Sequence, residues 1–206
     1  MAPIDAAFKQ GWPQAQIVNL LDESLYADVP QDGTLAPALY ERVTTLLNHC
    51  VNSGADGIVF TGTTFGPAIE ATRPHIKVPL LRAEEAMAEQ AVGMGQDILL
   101  VCSALRAMPV IRGSLEAAAK RQGVAPRIRE LWVSGAKDAL ASGGIDAHDR
   151  LIAREVEAAK HAGVIVIGQI SMAGACAHLP AALLPRIVTS LNAAVTRMRA
   201  LVEGFA

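Results

Sequence analysis

The run Gly163-Val164-Ile165-Val166-Ile167-Gly168 places four branched apolar residues side by side with no polar alternation. A strand with one wet face alternates apolar and polar residues. A strand covered by helices on both faces does not, and such runs belong to parallel sheets. Gly57-Ile58-Val59-Phe60, Val78-Pro79-Leu80-Leu81 and Asp97-Ile98-Leu99-Leu100-Val101-Cys102 read the same way, and residues 128–133 form a weaker fifth run. Between the runs, apolar residues recur at helical spacing. Leu39, Val43, Leu46, Leu47 and Val51 make one stripe, closed by the glycine stop signal Asn52-Ser53-Gly54. Ile152, Val156, Ala159 and Ala162 make another, closed by Gly163. Residues 182–206 read as one helix interrupted near Thr189-Ser190-Leu191, with Ile187, Leu191, Val195, Met198 and Leu201 on its apolar face. Helices alternating with strands predict an α/β fold built on parallel sheets.

Hydrophobic residues make up 51% of the 206 and aromatics only 4%, so the core is expected to be aliphatic. The 18 basic and 20 acidic residues leave a net charge of -2. Neither nucleic acid nor an anionic membrane surface suits a chain without a dominant basic field. No apolar run approaches the roughly 20 residues that span a bilayer. Met1-Ala2-Pro3-Ile4-Asp5 has neither the basic nor the apolar part of a secretory signal, which predicts a cytoplasmic protein. Cys50, Cys102 and Cys176 are odd in number and are expected to be reduced thiols. With no Cys-x-x-Cys or His-x-x-x-His spacing, no metal site is expected.

Parallel sheets bind ligands beyond the carboxyl ends of their strands. Two such ends are rich in small and hydroxylic residues. In Thr61-Gly62-Thr63-Thr64-Phe65-Gly66-Pro67, the glycines let backbone approach a ligand. Thr63 and Thr64 add hydroxyls, and N–H groups at the start of the next helix suit a carboxylate. In Gly168-Gln169-Ile170-Ser171-Met172, Gln169 and Ser171 emerge from a wholly apolar strand. Plain helix capping explains each loop equally well when it is taken alone. A third strand end carries Cys102 and Ser103. A lone cysteine there is more often a small hydrophobe than a nucleophile.

The first loop in its setting, residues 55–70, resembles the aspartate/glutamate/hydantoin racemase superfamily. The likeness is to its Asp/Glu racemase-like branch, with the arylmalonate decarboxylases as relatives. Trp12-Pro13, the run from Asn19 to Leu25, Glu85-Ala86-Met87, the run from His148 to Ala153 and the run from Gly168 to Ala173 agree, in order and over nearly the whole chain. The resemblance implies two pseudo-symmetric lobes, each a parallel sheet flanked by helices. They are expected at residues 1–92 with 186–206, and at 93–185. It further implies a cofactor-independent isomerase or racemase acting at the α-carbon of a small carboxylic or amino acid between the two loops. A homodimer is expected. Thr61, Thr63, Thr64, Ser103, Ser171 and Met172 are the substrate-binding candidates.

The sequence departs from that pattern in two ways. Racemases of the family carry a proton-transfer cysteine on each lobe, and here those positions hold Gly62 and Gln169. An arylmalonate-decarboxylase-like reaction, which needs one proton donor, is therefore an alternative. A homologue that binds a ligand without turnover is another. Relatives also begin with a strand and a small polar loop, whereas the first eight residues here already read as the following helix. The first lobe is expected to lack its usual first strand, through a start placed downstream or a shortened chain.

Overall fold

The computed structural model describes residues 2–30 and 32–204. The chain divides into two compact units, Met1–Ala83 with Ala194–Ala206, and Glu84–Ala193.

The first unit contains α1 (Ala2–Gly11), α2 (Ser24–Ala27), α3 (Pro37–Asn52), β1 (Ile58–Phe60), α4 (Gly66–Thr72) and β2 (Leu80–Arg82). Among the described residues its sheet has two strands, β1 parallel to β2, with Phe60 opposite Arg82. That matches the expected first lobe without its usual first strand. The stripe on α3 turns Leu39, Val43 and Leu47 onto a core with Phe65, Ile69 and Leu80. Gly54 follows α3 at φ +86, the left-handed geometry that glycine adopts without strain.

The second unit opens with α5 (Ala83–Met94) and β3 (Asp97–Cys102). It continues through α6 (Ala107–Gln122), β4 (Arg127–Trp132), α7 (Ala136–Ala141), α8 (Ile145–Ala158), β5 (Val164–Ile167) and β6 (Ile187–Thr189). All four strands are parallel, in the order β4-β3-β5-β6. The two unbroken apolar runs are the central strands β3 and β5, whose apolar residues are buried on both faces. Edge strand β4 holds only exposed and half-buried residues, which is why its run is weak in the sequence. Glu89 on α5 receives hydrogen bonds from Arg121 and Gln122 of α6, so α5 belongs with the second unit.

Two sequence expectations are corrected. Residues 182–206 are not one helix. A 3-10 turn at Leu184–Arg186 leads into β6, and only Ser190–Glu203, α9, is helical. Ile187-Val188-Thr189 is β-branched throughout and pairs with β5, so sheet pairing overrides the helical spacing. The second stripe does not run to Gly163 either. α8 ends at Ala158, and Lys160 takes the positive φ of +45. Gly163 is bare for another reason: a side chain there would collide with the carbonyl oxygen of Asp97 at the start of β3.

The last part of α9 belongs to the first unit, and two glycines mark its seat. A methyl added at Gly57 would lie 2.6 Å from Met198 Sδ, and one at Gly11 would lie 2.9 Å from Val195 Cγ1. No helix among the described residues is long and apolar enough to cross a membrane.

Candidate functional site

In the second unit the chain runs from β3 outward to β4, then returns past β3 to β5. The direction of winding reverses there, and the switch point lies between the carboxyl ends of β3 and β5. Gln169 follows β5 at that point. Its side-chain oxygen accepts hydrogen bonds from Ser103 N at 2.8 Å, Ala104 N at 3.0 Å and Ser103 Oγ at 3.1 Å. Gln169 thus ties the two strand ends together through one acceptor. Trp132 Nε1 donates to Ser103 O at 3.3 Å and steadies the same turn from β4.

Beneath this clamp lies Cys102, fully buried. Burial, with the charge of Glu130 adding to it, pushes its thiol up to about 12. The thiol is therefore protonated and shielded at neutral pH, and the structure gives it a packing role. Gly168 is bare because a methyl there would sit 2.8 Å from Cys102 Sγ.

The segment Ile170–His178 is a run of 3-10 turns. Ser171 is exposed, while Met172 is buried in the core with Ile152, Val156 and Ile167. Gln169 occupies the cap position of this segment, yet its side chain makes no capping bond. Gly174 leaves room for the carboxylate of Asp149, which a methyl would strike. Asp149 in turn lies 2.7 Å from His148 Nδ1, and both residues are buried in α8. Burial raises the Cys176 thiol above its ordinary value, and the charge of Asp149 adds to the effect. His178 Nε2 lies 3.6 Å from Asp146 Oδ1.

In the first unit, β1 runs into Thr61 and Gly62, a 3-10 turn at Thr63–Phe65, and then α4. Thr61 is exposed, Thr63 and Thr64 are half-buried, and Gly62 is buried. No side chain caps the turn or α4, so the capping account of Thr63 and Thr64 does not hold. Groups from elsewhere in the unit reach both glycines. A methyl on Gly62 would lie 2.9 Å from Tyr26 Oη, 2.9 Å from Phe60 Cε1 and 3.2 Å from Phe65 Cδ2. A methyl on Gly66 would lie 2.5 Å from an Arg82 guanidinium nitrogen. Arg82 stands at the carboxyl end of β2, with Nε 3.3 Å from Glu70 Oε1.

The family model described as Asp/Glu/Hydantoin racemase matches residues 3–198. The chain belongs to the Asp/Glu/hydantoin racemase family. Solved structures with the same fold include the allantoin racemase from Klebsiella pneumoniae, 20% identical, with a TM-score of 0.63 over 99% of this chain and 82% of that one. The glutamate racemase from Thermus thermophilus is 18% identical, with a TM-score of 0.64 over 99% and 77%. Unliganded arylmalonate decarboxylase is 19% identical, with a TM-score of 0.54 over 94% and 91%. No curated protein sequence matches the chain.

Within this racemase-family fold, Ser103 and Gln169 come together at one switch point, and Thr61, Gly62, Thr63 and Thr64 share one loop. Ser171 follows Gln169 on the surface, and Met172 supports it from the core. The sequence reading did not single out Tyr26, Arg82 or Asp149 as site residues. Arg82 carries a readable signal, a lone charge at the carboxyl end of an apolar run. Tyr26 carries none, because it lies 36 positions before Gly62 in the chain.

Proposed function

We propose that this protein acts without a cofactor at the α-carbon of a small carboxylic or amino acid, as an isomerase or racemase. Family membership over residues 3–198 is the observation that carries this reading. Thr61, Thr63 and Thr64 are the candidate carboxylate donors on the first unit's loop, and Ser103 and Ser171 are the candidates on the second unit's. Met172 holds the second loop in place from below. Preorganised donors of this kind stabilise the enediolate-like state that forms when the α-carbon carries charge. The same family likeness supports a homodimer in the cytoplasm.

Decarboxylation of a malonate-type acid is the second reading. It is favoured by the side chains at the two loops. Gly62 has none, and the oxygen of Gln169 is engaged by three donors. Neither residue shuttles a proton, which speaks against the two-thiol route. Loss of carbon dioxide needs only one proton donor.

Calorimetry with aspartate, malonate and hydantoin at millimolar concentration, alongside proton NMR in deuterium oxide, tests both readings. Binding of an acid with exchange of its α-proton supports the first. Binding of malonates with release of carbon dioxide supports the second. No heat and no turnover with any of them would remove both.

A further inference from the structure

We propose that the Tyr26 phenol is the proton donor to the α-carbon. The inference rests on the reading of the chain as acting at that carbon. Cys102 is sealed under Gly168, and Gln169 has no proton to give. Tyr26 lies on α2, packed edge-on against Phe65 with ring centroids 5.0 Å apart and planes at 74°. Phe60 meets Phe65 in a similar way at 6.2 Å and 67°. These contacts fix the phenol, and its oxygen stands 2.9 Å from where a side chain at Gly62 would begin. The space next to Thr63 and Thr64 that any side chain at position 62 would enter is thus taken by a hydroxyl from another helix.

The chemistry suits this group. A phenol carries an O–H that can be given up as a proton, so it can enter the reaction as an acid. In a malonate-type substrate, the bond between the α-carbon and one carboxylate breaks and carbon dioxide leaves. The electron pair stays on the α-carbon, spread into the remaining carboxylate as an enediolate. The Tyr26 O–H bond then breaks, its proton goes to the α-carbon, and the phenolate takes a proton from water. Tyr26 is 54% exposed, so water reaches it for that last step.

The test compares the intact protein with Tyr26→Phe, which keeps the ring contact with Phe65 and removes only the hydroxyl. Phenylmalonate is the probe, with kcat and KM measured separately and circular dichroism as the folding control. The expected result is a loss in kcat of about 100-fold or more with KM changed by less than about threefold. Gly62→Ala should lower kcat at least about tenfold, because its methyl displaces the hydroxyl without removing it. Full kcat in Tyr26→Phe overturns the role of Tyr26 and leaves the α-carbon reading standing. An intact protein that turns over no acid at all removes both.

Discussion

Gln169 is the residue on which the second unit's switch point turns. Its amide oxygen accepts from Ser103 N, Ala104 N and Ser103 Oγ, and Ser103 is buried. An aliphatic side chain of similar length would leave those two N–H groups without their acceptor. An unsatisfied buried donor costs about 1–3 kcal/mol, well above the net worth of an ordinary hydrogen bond. Gln169→Leu is therefore expected to destabilise the protein by about 2 kcal/mol. Gln169→Glu, whose carboxylate accepts the same bonds more strongly, should stay close to the parent. Urea denaturation of the three proteins reads the difference. Equal midpoints for the leucine variant and the parent would show that the clamp carries no stability.

Among the elements, the two central strands were legible because they are buried on both faces and hold only apolar residues. β4 was weaker because an edge strand is half wet, and β6 was missed because three residues cannot outvote a helical pattern on either side. The loops at the strand ends were legible as candidate sites from their threonines, glycines and serine. What meets those loops was not: Tyr26 arrives from α2 and Arg82 from the next strand, and neither placement has a local signature. Glycines show the same divide. Gly113 and Gly163 look alike in sequence, but nothing lies within 4 Å of where a methyl would stand on Gly113, exposed in the middle of α6. On Gly163 a methyl would strike backbone at the start of β3. Gly113→Ala should stabilise the protein by about 0.5–1 kcal/mol, since glycine weakens a helix interior by that amount. Gly163→Ala should destabilise it by about 1–3 kcal/mol, the range of an overpacked site. Thermal melts of the pair test the signs, and a shift in the same direction for both would contradict the account.

At the scale of the molecule, the chain crosses between units and ends where it began. β6 closes the second unit's sheet, and α9 then carries the chain into the first unit, where Val195 and Met198 are buried. Met198 fills the space that Gly57 leaves open, directly before β1 and the loop that holds Thr61 to Thr64. The first unit has only two strands among its described residues, so its core draws heavily on helices, and α9 is one of them. Truncating Met198 leaves a cavity at that seat. A buried methionine cut to alanine costs about 2–5 kcal/mol. Met198 packs beside Gly57 in the first unit, so the loss should be felt first there. Met198→Ala is expected to speed amide hydrogen exchange across β1, β2 and α3 while β3 and β5 keep their protection. Mass spectrometry of exchange, resolved by peptide, reads this directly. Equal loss of protection in both sheets would mean that the molecule opens as one cooperative body rather than as two.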